Sequence, residues 1–358
     1  MKTGIAYLPL HYGKAPSWLF NRMKILGRQI ILIMVEEFGP EEVLRRLSDP
    51  FWFQAFGCVL GFDWHSSGLT TTLCGALKEG LKDIGKEIGI FVCGGKGAVS
   101  RKTPKEIEDL ADKRLIKVSP EGLVYASRMS AKVDSCALQD GYQLYHHTFI
   151  LTCDGKWAVI QQGMNLEKGW ARRYHWLSEE LNDFVCEPHK AICCDQRGKV
   201  LNMVAEESKS AREMSAILAK EKPDKVIEEF KIVKEMKLPS EHPVNYKDIH
   251  PENLKKILLK TYAEKPKDFE ELLSMEGVGP KIIRALALIS ELIYGKEVSF
   301  RDPVHFSFAH GGKDGHPYPL NKKEYDLSIQ ILRECINKAK IGAYEKLNAF
   351  KRLGEFIS

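Results

Sequence analysis

Residues 144–165 read LYHHTFILTCDGKWAVIQQGMN, and the fold turns on how they pair. Two runs of apolar and β-branched residues flank Asp154-Gly155, a dipeptide that favours a two-residue hairpin turn. Such a turn sets Cys153 opposite Lys156 and carries the register outward. Ile150 then faces Val159, Phe149 faces Ile160, Thr148 faces Gln161, His147 faces Gln162 and His146 faces Gly163. Side chains alternate along a strand, so His147 and Gln162 are expected on one face with Phe149, Leu151, Ala158 and Ile160. The centre of the hairpin is ordinary sheet material. Its open end gathers two histidines and two glutamines, and a one-residue slip would break that pairing.

More polar residues flank this end. Upstream, DSCALQDGYQLY supplies Asp134, Gln139, Asp140 and Gln143. Downstream, GWARRYHW supplies Arg172, Arg173 and His175 among aromatics. Acid, imidazole, amide and paired arginine together suit phosphodiester chemistry. Asp140 and His147 are expected to hold a divalent ion, Mg2+ or Mn2+, or to activate water, with His146 beside them as an acid or base. Asp134, His65 and Gln162 complete the expected catalytic set. Arg172, Arg173 and His175 are expected to contact phosphate, and Tyr174 and Trp176 to stack on bases. The competing reading is a buried polar network that only satisfies itself.

Two other segments carry similar chemistry. GFDWHSSGLTT places Asp63, His65, Ser66 and Ser67 ahead of a helix, where either serine serves equally as a cap. CGGKGAVSRKTP gathers Lys96, Arg101 and Lys102 around glycines. It lacks the spacing of a Walker A loop, yet amides and cations in that arrangement suit phosphate.

The chain has 358 residues, enough for two or three domains. Its net charge of +5 permits a polyanionic partner without requiring one. Nine cysteines occur with no C-x-x-C spacing, which argues for reduced, buried thiols over a zinc module. A long-range cluster of Cys186, His189, Cys193 and Cys194 is a weaker alternative. No run is long enough to span a bilayer and the N-terminus lacks a signal-like core, so a cytoplasmic protein without membrane contact is expected.

Composition divides the chain in three. Residues 1–206 mix helical and strand patterns, with a second hairpin expected around CDQRGKVLNMV. Residues 207–244 form a charged helical linker, and 245–358 read as helical throughout. Within the last part lies DFEELLSMEGVGPKIIRALALISELI. Two helices meet there at Gly277-Val278-Gly279. Pro280 suits the first helical position, and the free amides that follow make a phosphate site. Lys281 and Arg284 add charge. The segment resembles a helix-hairpin-helix, which grips a DNA strand by its backbone. In the endonuclease III superfamily of DNA glycosylases such a motif precedes a catalytic aspartate. Here Asp302 follows in RDPVH, as a cap, a core residue or a catalyst. HGGKDGHP beyond it is a polar glycine-rich loop, suited to DNA contact or to a plain turn.

Taken together, LPLHYGKAP, FDWHSSG, LQDGYQLYHH, IQQGMN, ARRYHW and HGGKDG resemble the prokaryotic, largely archaeal family catalogued as domain of unknown function 763. That resemblance implies an N-terminal domain joined to a helix-hairpin-helix end, and so work on DNA. The expected fold is an α+β N-terminal domain with an antiparallel sheet, joined to an all-α helix-hairpin-helix domain. The expected function is a metal-dependent DNA nuclease in repair. The alternatives are a glycosylase using Lys281 and Asp302, or a DNA-binding protein without catalysis.

Overall fold

Proline decides where many of the helices begin. After α1 (Ser17–Phe38), Gly39-Pro40 opens α2 (Pro40–Ser48) and Asp49-Pro50 opens α3 (Pro50–Val59). A proline at the first helical position has no amide proton to leave unpaired. Asp49 adds a cap by accepting from the Trp52 amide at 2.8 Å. Helices α4 (Gly68–Leu81) and α5 (Gly85–Ile88) follow. Strand β1 (Ile90–Lys96) runs into a tight helical turn at Gly97–Lys102, then α6 (Thr103–Asp112) and α7 (Pro120–Lys132). The last helix widens into a π-helical turn at Val133–Ala137.

The strands come next: β2 (Leu138–Gln139), β3 (Gln143–Thr152), β4 (Trp157–Asn165), β5 (Trp170–Leu177), β6 (Ala191–Cys193) and β7 (Leu201–Asn202). The chain finishes in helices: α8 (Lys209–Leu218), α9 (Pro223–Glu235), α10 (Pro251–Glu264), α11 (Phe269–Ser274), α12 (Pro280–Leu292), α13 (Lys322–Lys338) and α14 (Ala343–Ile357). These assignments come from a computed structural model that describes residues 8–10, 13, 15–63, 65–194, 196–236, 246–304 and 322–357. The HGGKDGHP loop lies outside the described residues. Among those described, no helix is long and apolar enough to cross a membrane.

The sheet has five strands in the order β1-β3-β4-β5-β6, all antiparallel. The expected second hairpin does not form. β6 joins the edge of this sheet beside β5, while β7 pairs with β2.

Both faces of the sheet are covered. On one, Phe91, Phe149, Leu151, Trp157 and Val159 pack against α6–α12. On the other, Ile90, Ile150, Ala158 and Ile160 pack against α1–α5 and against α13 and α14. The architecture is mixed α/β, with an antiparallel sheet between helical layers and a helical C-terminal region. Each core draws residues from both sides of the boundaries read from composition. The charged helices α8 and α9, for instance, place Ala211, Leu218, Val226 and Phe230 in the same core as Phe149.

The central hairpin forms, one residue out of the expected register. Its connection has three residues, Cys153–Gly155, because the Thr152 amide donates to the Lys156 carbonyl at 2.8 Å. His147 therefore pairs with Gln161, and His146 with Gln162. Tyr145 is an extra residue, bulged between Leu144 opposite Gly163 and His146 opposite Gln162. Gly155 takes the left-handed conformation, φ +87°, as a three-residue connection of this kind requires. A Cβ there would stand 2.7 Å from Val118 Cγ2. Slipping back by one residue would send every buried side chain of β3 to the wrong face relative to β4.

Gly155→Ala should cost about 1–2 kcal/mol, the usual penalty for a Cβ in the left-handed region. Urea unfolding checks this. An unchanged midpoint would show that the connection is not held as described.

Candidate functional site

As neighbours on one strand the two histidines lie on opposite faces, and the observed register gives each a glutamine on its own face. His147 and Gln161 look toward α7, with Phe149 and Val159; His146 and Gln162 look toward α4, with Ile150 and Ile160. The close approach of β1 to this end of β3 depends on Gly94. A Cβ there would lie 2.3 Å from the His147 carbonyl oxygen, and its φ is +85°.

On the α7 face a chain of hydrogen bonds runs inward from Ser127. Ser127 Oγ and His147 Nε2 are 2.9 Å apart, and His147 Nδ1 lies 2.9 Å from Gln161 Oε1. Gln161 Nε2 donates to Asp134 Oδ2 at 2.5 Å and to the Ser130 carbonyl at 3.2 Å. With its nitrogen committed to two acceptors, the amide must present oxygen to the imidazole. His147 therefore carries its proton on Nδ1, and its Nε2 lone pair accepts from the Ser127 hydroxyl. Asp134 anchors the other end, taking Trp176 Nε1 at 3.1 Å and His189 Nε2 at 2.5 Å. Burial pushes the Asp134 carboxyl up, and the neighbouring His189 opposes it. Burial holds the His147 imidazole down to about 4, and the His146 imidazole down to about 3.

The network opens on a cleft of about 220 Å³ at the end of the hairpin, lined by Arg101, Ser127, Arg128, Tyr145, His146 and His147 among others. Arg101 and Arg128 are exposed. Lys96, opposite His146 in β1, holds its ammonium 5.9 Å above the Tyr145 ring. Among the described residues, no carboxylate is ion-paired with Lys96, Arg101, Lys102 or Arg128. His146 is buried, and its Nε2 lies 2.9 Å from Thr148 Oγ1. Its Nδ1 has no hydrogen-bond partner among the described residues. A buried polar atom without a partner is a usual sign of an unplaced water or ligand; this one lies on the α4 side of the sheet. The cleft can thus take an anion between cations, beside a hydroxyl already bonded to a neutral imidazole.

Asp140 belongs elsewhere. It accepts from Arg172 Nη1 at 3.0 Å, Tyr174 Oη at 2.6 Å and the Tyr142 amide at 3.0 Å. Arg172 also reaches Asp302 at 2.8 Å and stacks 4.5 Å from the Tyr142 ring centroid. Asp302 takes in addition the amides of Gly198 at 3.0 Å and Val304 at 3.1 Å. Burial works against the Arg172 charge, but the attraction of Asp140 and Asp302 holds its pKa well above the ordinary value. Among the described residues, Asp140 and His147 have no partner in common, and no three His, Cys, Asp or Glu side chains converge as a metal ion would need.

The arginines expected to meet phosphate are inside. Arg172 and Arg173 alternate along β5, so one enters each buried face. Arg173 donates to Gln54 Oε1 at 3.1 Å and to His175 Nε2 at 2.9 Å, and lies 4.6 Å from the Phe53 ring centroid. His175, Tyr174 and Trp176 are fully buried as well and offer nothing to a base or phosphate. Gln162 bonds to Thr70, Tyr145 and the Ser67 carbonyl, which ties the SSG loop to the sheet. His65 is exposed in that loop and does not line the cleft. All nine cysteines are free thiols; of the proposed cluster, Cys186 bonds Glu206 and Cys194 lies 3.3 Å from Tyr142 Oη.

Ser127 and Arg128 escaped the sequence reading. Ser127, Ser130 and Asp134 recur at helical spacing in PEGLVYASRMSAKVD, a polar stripe on a face that must be buried. That stripe was the available signal.

The arrangement defines a class: a mixed α/β protein whose central sheet ends in a cationic cleft backed by a serine–histidine–glutamine chain. The family described as "Protein of unknown function (DUF763)" matches residues 4–320, and the chain belongs to it. No curated protein and no solved structure matches the chain.

Two expectations follow from the buried groups. Asp140→Ala leaves Arg172 with part of its compensation gone and should cost about 3–5 kcal/mol by urea unfolding; a neutral result would show that the ion cluster does not hold the fold. The second concerns pH. An unfolded histidine protonates near 6.5, whereas folded His147 holds out to about 4. Between those values the unfolded state binds more protons, so this residue's contribution to stability falls as pH falls. His147→Gln should therefore lose less stability than the wild type between pH 7 and 4.5. Equal losses would mean that His147 is not held neutral.

Proposed function

We propose that this protein is a DNA nuclease that cuts phosphodiester bonds in the cleft beside His147. The observation that carries it is one opening that joins Arg101 and Arg128, which have no carboxylate partner among the described residues, to a hydroxyl–imidazole pair, with Lys96 on the neighbouring strand. A phosphodiester is an anion throughout its hydrolysis and gains charge on its oxygens in the transition state. Arginines at the mouth of a partly dry cleft stabilise that charge more than water does. His147 Nε2 is the base. A bound phosphate beside it favours the protonated imidazole and so opposes the effect of burial.

The C-terminal region supplies the second support. Helices α11 and α12 meet at Gly277, φ +88°, with Pro280 opening α12, as in a helix-hairpin-helix. Lys281 Nζ lies 3.2 Å from Asp248 and Arg284 Nη1 lies 3.1 Å from the same carboxylate. A phosphate arriving at Gly279–Lys281 would exchange for Asp248. The hairpin is fixed to the cleft through α7. Lys132 donates to the carbonyls of Leu273 at 2.7 Å, Met275 at 2.5 Å and Val278 at 3.1 Å, five residues beyond Ser127 on the same helix. A backbone held at the hairpin therefore lies in fixed relation to the cleft.

A divalent ion at Asp140 and His147 would have to displace Arg172 and Tyr174 from Asp140 and Ser127 or Gln161 from His147. The glycosylase alternative divides between Lys281, bound to Asp248, and Asp302, bound to Arg172. Cleavage of end-labelled single- and double-stranded DNA, with Mg2+, with Mn2+ and with EDTA, distinguishes these readings. Strand breaks with phosphate and hydroxyl ends are expected, reduced about 100-fold or more in His147→Ala, the usual worth of a general base. Arg101→Gln with Arg128→Gln should flatten the salt dependence of single-strand binding by roughly 0.7 for each phosphate no longer neutralised. Abasic sites without breaks would favour the glycosylase; binding without either would leave a DNA-binding protein.

A further inference from the structure

The serines of this protein's helices show what Ser127 is not doing. Ser130, Ser135, Ser215 and Ser290 each donate to a carbonyl three or four residues back along their own helix, at 2.6–3.1 Å. Thr261 and Ser274 do the same. That local bond is the default for a hydroxyl in a helix, because the acceptor is always within reach. Ser127, in the middle of α7, makes no such bond. Its proton goes to His147 Nε2, 20 residues away.

The base is equally committed. Its other nitrogen is held by Gln161 Oε1, and Gln161 is held in turn by Asp134 and the Ser130 carbonyl. With both imidazole nitrogens engaged, the proton best placed for abstraction is that of Ser127, not that of a water. A nucleophile hydrogen-bonded to a base, and the base oriented by a third group, is the arrangement of covalent catalysis. The third group here is a neutral amide. Among the described residues, the ring nitrogens of His147 meet only Ser127 and Gln161, and no carboxylate bonds to them to compensate an imidazolium. A phosphodiester anion bound beside it supplies that charge.

We infer that Ser127 is the nucleophile and that phosphodiester cleavage passes through a phosphoseryl–DNA intermediate; this rests on the nuclease reading above. Ser127 Oγ attacks phosphorus while His147 Nε2 takes the hydroxyl proton. The bond from phosphorus to one bridging oxygen breaks, and that oxygen leaves with the proton from His147. Water then attacks the phosphoserine, giving its proton to His147. The Ser127 Oγ–phosphorus bond breaks, and Ser127 recovers its proton. One strand end carries hydroxyl and the other phosphate, and no redox partner or co-reactant besides water is consumed. Arg101 and Arg128 line the same cleft and face the phosphoryl oxygens.

Two readouts on the full-length protein test this. A biotinylated alkyl fluorophosphonate should label the folded protein once, at Ser127 by peptide mass, with release of fluoride. Labelling should vanish in Ser127→Ala and slow at least 100-fold in His147→Gln, a variant that keeps a polar side chain in the network and whose folding is checked by its thermal midpoint. Rapid denaturing quench of a DNA digest should reveal a protein–DNA band that Ser127→Ala lacks. Strand cutting that persists in Ser127→Ala, with no covalent band, overturns Ser127 as nucleophile and keeps the nuclease. Labelling at Ser127 with no cutting of any DNA keeps the activated serine and overturns the nuclease. Absence of a Ser127 adduct from both reagents overturns the inference.

Discussion

The pairing of β3 with β4 is the constraint on which the rest depends. Both faces of this sheet are buried, so register decides which polar side chains meet which core. With His147 opposite Gln161, a single hydrogen-bonded chain reaches from Ser127 on α7 to Asp134 at the end of that helix. With His147 opposite Gln162, that glutamine would share the α7 face and Gln161, the link to Asp134, would point to the other side. The left-handed Gly155, packed beside Val118, sets the connection length that selects the first arrangement.

Two kinds of buried polar group result, and they differ in what they can do. Around Asp140 every acceptor is filled: Arg172, Tyr174 and the Tyr142 amide close on it, and Asp302 closes on the far side of Arg172. Such a cluster tolerates no loss, because a charge stripped of its partner in the interior costs several kcal/mol. It is shut in the interior, with Asp140, Arg172 and Tyr174 all buried. Around His147 the bonds are also filled, but the chain ends at a hydroxyl on a cleft, beside cations that have no carboxylate partner among the described residues. The first cluster joins β5 to the segment before α13; the second can exchange a proton with a ligand.

Much of the fold was legible in the sequence. Gly-Pro and Asp-Pro marked the starts of α2 and α3, apolar periodicity marked α10–α14, and the apolar runs around Asp154-Gly155 marked β3 and β4. The register was not legible, because Asp-Gly serves two- and three-residue connections alike. What decides between them is packing against Val118 and pairing with β1, both remote in sequence. The candidate site was legible as a place more than as a set of residues. His146, His147, Lys96 and Arg101 do gather at the open end of the hairpin. Arg172, Arg173 and Asp140 read as functional by chemistry alone, since nothing local told that both faces of β5 are covered. Ser127 went unseen because a serine in a helix is ordinary until its hydrogen bond is known.

A crystal structure of the protein with a short single-stranded oligonucleotide carrying non-hydrolysable linkages tests the central claim most directly. One backbone phosphate is expected in the cleft, its phosphorus within reach of Ser127 Oγ and its oxygens between Arg101 and Arg128. An oligonucleotide bound elsewhere with the cleft unoccupied, or a phosphate there turned away from Ser127 and His147, would contradict that claim.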